Sequence, residues 1–268
     1  TQITIPSSVT EIGNYTFSGC KYLKVIEFSE NSELKYIGNY AFQSTPIESI
    51  RIPKHVVSIG DYAFKDCNKL QAIEIYDDSE LYSIGIGVFY GVKLNSLTIP
   101  PNVEKICSLL FLHIPNIIFS PNNRNFKWIN NTILSKKSDS KSENFDVALW
   151  VKPNVERVSI PLNFKKIDSY CFHSNKSVKN IEFSQDSQLY LIDDCAFSYS
   201  SIQSIIIPPN VSIIGMKAFS GSLITEITIP EHVTTIKNAF QECFNLTRVE
   251  FAQNSKLESI DDYAFSAT

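Results

Sequence analysis

The apolar positions of this 268-residue chain recur at a nearly constant spacing, and phenylalanine marks the repeat most clearly. Ten phenylalanines follow one another at intervals of 25, 22, 25, 22, 61, 25, 22, 21 and 25 residues. A fixed period in the twenties is typical of a solenoid, in which each coil buries its apolar side chains by stacking on its neighbours. The repeated residues are Phe17, Phe42, Phe64, Phe89, Phe111, Phe172, Phe197, Phe219, Phe240 and Phe265.

Aligned on these phenylalanines, the repeats share one template in a short and a long form. Ile50 to Phe64 (IRIPKHVVSIGDYAF) shows the short form, and Ile26 to Phe42 (IEFSENSELKYIGNYAF) shows the long form, whose extra residues we expect to bulge outward at one corner. The I-x-I or I-x-F pair alternates with period two and predicts a strand with one buried face. In the short form a proline follows directly, and because it has no N–H it ends the ladder.

A glycine or aspartate slot precedes the Ala-Phe pair, for example at Gly60 and Asp193. Both residue types are accepted at a helix N-cap, so we expect a short helix or 3₁₀ turn to follow. The predicted fold class is therefore an α/β repeat solenoid, a right-handed array with a parallel β-sheet on one face and short helices or 3₁₀ turns on the other. We expect the sheet to be continuous except around residues 118–157.

The repeat predicts a single solenoid over residues 1–268 with about eleven coils. N-terminal repeats would occupy residues 1–117, an irregular insert that contains a β-hairpin residues 118–157, and C-terminal repeats residues 158–268. Solenoids need polar caps at both ends. Because neither cap is visible, we expect the sequence to be a fragment of a longer chain.

The repeated motif IPxxVxxIGxxAFxxCxxL, which spans Ile52 to Leu70 (IPKHVVSIGDYAFKDCNKL), resembles the BspA-like class of leucine-rich repeats. The resemblance covers essentially the whole chain, and residues 126–134 (FKWINNTIL) and 146–153 (DVALWVKP) are similar to the hairpin unit embedded in that family. It implies a protein on the surface of mucosal bacteria or anaerobic protists that adheres to host matrix, host cells or other microbes. A cell-surface or secreted location and a protein or glycan ligand follow as expectations from the resemblance.

Composition and motifs argue against several other functions. The net charge of −4 and the absence of a basic stripe make nucleic acid an unexpected partner. No apolar run approaches the ~18 residues of a membrane span. No HExxH, CxxC, phosphate-binding loop or GxSxG motif occurs, so we expect neither an enzyme nor a metal or cofactor site. We interpret the six cysteines mainly as free core residues, and a Cys171–Cys195 bridge is the geometric alternative.

The outward positions of the predicted strands are candidates for ligand binding. Long coils place glutamate there and short coils mostly threonine or serine, and Arg51 lies between Glu27 and Glu74 on neighbouring strands. Two interpretations remain open: a ladder that keeps the protein in solution, or a mildly acidic binding face on the concave surface. The candidate residues on this face are Glu27, Arg51, Glu74, Tyr76, Thr98, Ser159 and Glu182.

The interruption of the period is the second candidate. It contains a polar, disorder-prone tip over residues 135–144 and both tryptophans of the chain, Trp128 and Trp150. Tryptophan is favoured at binding hot spots; the alternative is that the pair packs the hairpin onto the solenoid. Our hypothesis is that the tryptophans, with Glu74, Thr98 and Ser159, form the ligand-contacting patch.

Together these features predict a non-enzymatic cell-surface or secreted protein that acts in adhesion through its solenoid surface. The alternative is a structural spacer whose stacked coils present another domain.

Overall fold

A computed structural model describes residues 1–112, 114, 116–139 and 142–268. Its contacts divide the chain into two compact units, Thr1–Phe126 and Lys127–Thr268. Within the described residues the units hold about eleven turns of β-solenoid. The right-handed winding and the division into residues 1–117, 118–157 and 158–268 stay predictions.

In each coil of the first unit a four-residue strand alternates with a two-residue strand. The strands and the single 3₁₀ helix that this part of the described chain contains are β1 (Gln2–Ile5), β2 (Glu11–Ile12), β3 (Val25–Phe28), β4 (Tyr36–Ile37), β5 (Ser49–Ile52), β6 (Ser58–Ile59), β7 (Ala72–Ile75), β8 (Ser83–Ile84), β9 (Ser96–Ile99), β10 (Lys105–Ile106), the 3₁₀ helix Ser108–Leu112 and β11 (Asn116–Phe119).

After a hairpin, the second unit follows the same alternation except at the segment 204–207, which forms no strand. Its strands are β12 (Phe126–Ile129), β13 (Ile133–Lys136), β14 (Val147–Val151), β15 (Arg157–Ile160), β16 (Lys166–Ile167), β17 (Asn180–Phe183), β18 (Leu191–Ile192), β19 (Ile213–Ile214), β20 (Glu226–Ile229), β21 (Thr235–Ile236), β22 (Arg248–Phe251) and β23 (Ser259–Ile260). The boundary between the two units falls within β12, after Phe126.

The four-residue strands form parallel pairs and not the continuous sheet expected from the sequence. The pairs are β1–β3, β5–β7 and β9–β11 in the first unit and β15–β17 and β20–β22 in the second. Each pair joins the strand of a short coil to the strand of the long coil that follows it. The segment 204–207, where the template predicts another strand, is assigned no strand.

Proline explains this pairing. Ser29 follows β3 and donates its N–H to the carbonyl of Ile5, 3.0 Å away, in the preceding short coil. The residue in the same slot after β5 is Pro53, which has no N–H to donate back to β3. The strand of a long coil therefore pairs with the strand of the short coil before it, whereas the strand of a short coil does not pair with that of the long coil before it. The segment 204–207 pairs with neither neighbouring strand, because Pro208, which follows it, cannot donate to the preceding coil and Pro230, which follows β20, cannot donate to the segment.

The two-residue strands build the longer parallel sheets. In the first unit they run in the order β2-β4-β6-β8-β10, with isoleucine paired to isoleucine at each step, for example Ile37 with Ile59. In the second unit β16, β18 and β19 continue from β14. Each two-residue strand of these sheets buries its second residue, an isoleucine, so the sheets cover the core on this side.

The expected α/β character is not confirmed, because the face around the Ala-Phe pair consists of consecutive turns and the described residues are almost free of helix. The residue two places before the phenylalanine has a positive φ, as at Tyr40 (56°) and Tyr62 (56°), and this left-handed conformation interrupts a right-handed helix. The Phe42 N–H donates to the carbonyl of Ala63 in the next coil at 2.8 Å, and not back along its own chain as in a helix.

The core of each unit contains a stack of the repeat phenylalanines. In the first unit Phe42 stacks on Phe64 with ring centroids 5.2 Å apart, and in the second Phe197 stacks on Phe219 at 5.0 Å. Eight of the ten rings are buried, and Phe17 and Phe265 are half-buried. The expectation that all ten rings form one buried stack is thus confirmed for eight rings and within each unit.

The hairpin of the insert joins the edge of a solenoid sheet in the second unit. Strands β12, β13 and β14 lie side by side, and β13 pairs with β14 in antiparallel register. Strand β14 then pairs in parallel with β16, so Val147 lies beside Lys166. The insert thereby covers the sheet edge that β16 would otherwise expose. Residues 140 and 141 of the predicted polar tip, like His113, lie outside the described residues.

Candidate functional site

The candidate residues on the four-residue strands all point away from the core. Alternation along each strand buries or half-buries the flanking apolar side chains and leaves the central side chain exposed, as the sequence predicts. In the first unit the exposed candidates are Glu27, Arg51, Glu74, Tyr76 and Thr98. In the second unit the exposed strand candidates are Ser159 and Glu182, whose positions pair across β15 and β17.

Arg51 is the best-defined of these side chains. Its Nε donates to Glu74 Oε2 at 2.8 Å across the β5–β7 pair, and its guanidinium lies 5.7 Å from the centroid of the Tyr76 ring. The hydrogen bond to Glu74 raises the pKa of Arg51. The pairing of Arg51 with Glu74 that the register predicts is therefore present. Glu27, by contrast, is approached by the hydroxyl of Thr4 at 3.3 Å and by no basic side chain among the described residues.

A groove of about 750 Å³ follows the strand face of the first unit. It lies over the junction of β3 and β5, where the strand pairing is open, and it contains Glu27, Arg51, Glu74 and Tyr76 together. Thr98 is not among the residues that line it. The groove coincides with an open junction between two strand pairs, a feature that the repeat template does not reveal.

Two charged pairs edge this groove and were not anticipated from the sequence. Lys54 Nζ lies 2.7 Å from Asp78 Oδ2, and His55 Nδ1 lies 2.9 Å from Glu80 Oε1. The hydrogen bond from Lys54 lowers the pKa of Asp78. Both pairs join corresponding corners of successive coils, a spacing of 24 or 25 residues that could have signalled them.

The second unit has a smaller groove of about 500 Å³ on its own strand face. It lies between the unpaired segment 204–207 and the β20–β22 pair. Ile206 projects into it at an outward position and is 87% exposed. Ser159 and Glu182 do not line this groove.

The two tryptophans meet in the second unit. Trp128 on β12 and Trp150 on β14 have ring centroids 6.1 Å apart at an interplanar angle of 65°, and both are half-buried. Lys152 Nζ lies 4.4 Å from the centroid of the Trp128 ring and donates to Asn131 Oδ1 at 2.7 Å. Lys152 and Asn131 were missed from the sequence, because their proximity depends on the hairpin register.

A ladder of ion pairs fastens this hairpin to the coils behind it. Asp168, which is buried, accepts from Lys136 of the hairpin and from Lys166 Nζ at 2.8 Å, and Lys166 also reaches Asp193 at 2.6 Å. Burial alone would lower the pKa of Lys166, but Asp168 and Asp193 outweigh it and raise that pKa. Burial likewise opposes ionisation of Asp193, yet the hydrogen bond from Lys166 keeps its pKa below the ordinary value.

Three buried cysteines serve as small core residues. The Cys67 thiol donates to the carbonyl of Phe42 at 3.0 Å, and the Cys243 thiol donates to Phe219 at 3.1 Å. Burial raises the pKa of Cys67, Cys171 and Cys243. All six cysteines are free, so the alternative of a Cys171–Cys195 bridge is not realised.

Across the part of the chain that the structure describes, no three His, Cys, Asp or Glu side chains converge in a metal-binding geometry. In the same residues no helix has the length and apolar character to cross a membrane.

The grouping of the tryptophans with Glu74, Thr98 and Ser159 stays a prediction. Trp128, Trp150 and Ser159 belong to the second unit, whereas Glu74 and Thr98 belong to the first.

Three solved structures share the fold. The pneumococcal vaccine antigen PcpA is 23% identical with a TM-score of 0.74 over 98% of this chain and 69% of its own. A leucine rich cell surface protein from Faecalibacterium prausnitzii is 22% identical with a TM-score of 0.61 over 94% of this chain and 79% of its own. A leucine-rich repeat protein from Eubacterium ventriosum is 19% identical with a TM-score of 0.57 over 97% and 82%.

A search of curated proteins gave no match. The family model described as a BspA type leucine rich repeat region matches residues 1–141 and 143–268 in six copies. Together with the repeated IPxxVxxIGxxAF motif and the stacked coils, this match shows that the chain belongs to the BspA-type leucine-rich repeat family.

Proposed function

We propose that this chain is a non-enzymatic interaction protein, exposed at a cell surface or secreted, that adheres to host cells, extracellular matrix or other microbes. Its ligand is a protein or glycan on such a surface, and neither nucleic acid nor a cofactor takes part. Two structural relatives support the location, one described as a pneumococcal vaccine antigen and one as a leucine rich cell surface protein.

The observation that carries this proposal is the groove on the strand face of the first unit. It contains Glu27, a carboxylate that no basic side chain among the described residues approaches, together with the Arg51–Glu74 ion pair and the exposed aromatic ring of Tyr76. Arginine and tyrosine are enriched at binding hot spots, and repeat proteins commonly bind along such a face. The Arg51–Glu74 pair is more than half exposed, so it contributes little to folding and is free to serve recognition.

The test begins with a binding screen of the chain against matrix proteins, mucins and immobilised glycans. The variant R51A/E74A/Y76A should then lose at least about tenfold in affinity for any ligand found, because it removes the aromatic and charged contacts of the groove. Its circular dichroism spectrum should match that of the native chain.

The matched control is Tyr22→Ala, which removes an exposed aromatic ring, 79% exposed, at a turn outside the groove. Binding should survive this change. If the triple variant binds as well as the native chain, the strand face is not the ligand site. If the screen yields no ligand at all, the spacer alternative is favoured instead.

A further inference from the structure

Half-buried Lys152 in the second unit differs from the lysines near the hairpin that form ion pairs. Lys136, Lys165 and Lys166 each pair with an aspartate. Lys152 contacts the Trp128 ring and the Asn131 amide, and among the described residues no carboxylate lies within ion-pair distance of it. A partly desolvated ammonium held by an aromatic face and a neutral amide retains the capacity to bind an anion.

The two indoles beside it offer an apolar surface of defined shape. Their planes stand at 65° with centroids 6.1 Å apart, and neither ring is fully buried. The C–H face of a sugar ring carries slight positive charge and is apolar, so it complements the negative face of an indole. Because Lys152 Nζ lies 4.4 Å from the centroid of Trp128 and contacts Asn131, a sugar ring on the uncovered indole surface would lie near both polar groups.

The hairpin holds these four side chains in place before any ligand arrives. Asn130 and Asn131 both have positive φ, 48° and 56°, the pattern of a type I′ turn that asparagine tolerates. The turn fixes the Asn131 amide, which accepts from Lys152. The ion pair between Lys136 and Asp168 anchors the hairpin to the solenoid. Such preorganisation lowers the entropic cost of binding.

We propose that Trp128, Trp150, Lys152 and Asn131 form a subsite for a saccharide unit that bears an anionic group, either a carboxylate or a sulfate. The indole surface that Lys152 leaves uncovered contacts the sugar ring, the Lys152 ammonium pairs with the anion, and the Asn131 amide hydrogen-bonds a neighbouring hydroxyl. The proposal rests on the binding function above and names a ligand class for a surface other than the strand-face groove.

Intrinsic fluorescence reports directly on this subsite, because Trp128 and Trp150 are the two tryptophans of the chain. The probes are a hyaluronan hexasaccharide with carboxylates alone, a heparin hexasaccharide with sulfates and carboxylates, and neutral chitohexaose. A saturable change in emission with either acidic probe and none with chitohexaose is the expected result. Binding of heparin alone identifies sulfate as the anion, whereas binding of both assigns the carboxylate. Binding of the acidic probe should weaken as the salt concentration rises, since the ion pair between Lys152 and the anionic group is partly exposed.

Calorimetric titration of variants then tests the roles of the residues. Lys152→Met should weaken binding of the acidic probe about tenfold or more, and Lys152→Arg should restore most of it. Asn131→Gly keeps the turn but removes the amide and should weaken binding roughly two- to fivefold. Lys69→Met, which removes an exposed lysine of the first unit, is the matched control and should bind normally.

Three results would overturn the proposal: no fluorescence response to either acidic probe at millimolar concentration, equal binding by Lys152→Met, or tighter binding of an acidic peptide than of any saccharide. None of these depends on the strand-face groove. Loss of adhesion in R51A/E74A/Y76A with no response to the saccharides would leave the proposed function standing and reject this subsite alone.

Discussion

Replacing Phe64 with alanine tests the stacked core most directly. The ring is fully buried and lies between Phe42 and Phe89, with centroid distances of 5.2 Å and 5.8 Å. Loss of a buried phenylalanine costs about 3–5 kcal/mol through lost transfer energy and the residual cavity. Two aromatic stacks are lost as well, each worth about 0.5–1.5 kcal/mol beyond burial. The neighbouring coils cannot close the gap, because their backbones are held by the hydrogen bonds that join coil to coil. We therefore expect Phe64→Ala to lower the free energy of unfolding by about 5 kcal/mol, the upper end of the range for a buried phenylalanine.

Phe17→Ala supplies the matched control, since the same atoms are removed from a half-buried ring that stacks on Phe42. Its expected cost is roughly 1–2 kcal/mol, in line with partial burial. Urea unfolding followed by far-ultraviolet circular dichroism gives both values by linear extrapolation. If Phe64→Ala costs less than about 1 kcal/mol, or no more than Phe17→Ala, the reasoning that the ring stack stabilises the first unit is wrong.

Other features of the structure lead to further expectations. Gly60→Ala should lower the free energy of unfolding by about 1–3 kcal/mol, because a Cβ there would lie 2.5 Å from Asn39 Oδ1 and 2.7 Å from Asn39 N. Gly13→Ala is the control and should be nearly neutral, since the nearest atom to its Cβ would be 3.5 Å away. Equal unfolding midpoints for the two variants would contradict this expectation. Because the pKa of Asp193 lies below its ordinary value of 3.8, its ion pair stabilises the folded state above about pH 4, and this stabilisation is lost as the pH falls further. Asp193→Asn should therefore lower the free energy of unfolding by about 1 kcal/mol at pH 7 and flatten the fall in melting temperature between pH 5 and pH 2. An unchanged pH profile would refute the ion-pair argument. Exposed Cys20 should react with a thiol reagent in the folded protein and the buried cysteines only in denaturant, so immediate reaction of all six would contradict the assigned burial.

The amino-acid sequence alone determined the repeat and the inner face of each coil. The phenylalanine period identifies the buried rings, and the alternation of Ile50, Arg51 and Ile52 correctly separates core from surface, because both depend on local periodicity. The hairpin could be located for the same reason, since it interrupts the period.

Only the tertiary structure decided how the coils join. Gly60 and the Ala-Phe pair suggest a helical turn locally, but the backbone N–H groups there bond to the next coil, and the competition between those two partners is not visible in one repeat. The sequence shows that Pro53 ends a strand. Whether it also prevents β3 from pairing with β5, at the junction where the groove lies, depends on which coil lies beside it. The contact of Lys152 with Trp128 across 24 residues depends on the hairpin register, because long-range pairing sets which side chains meet.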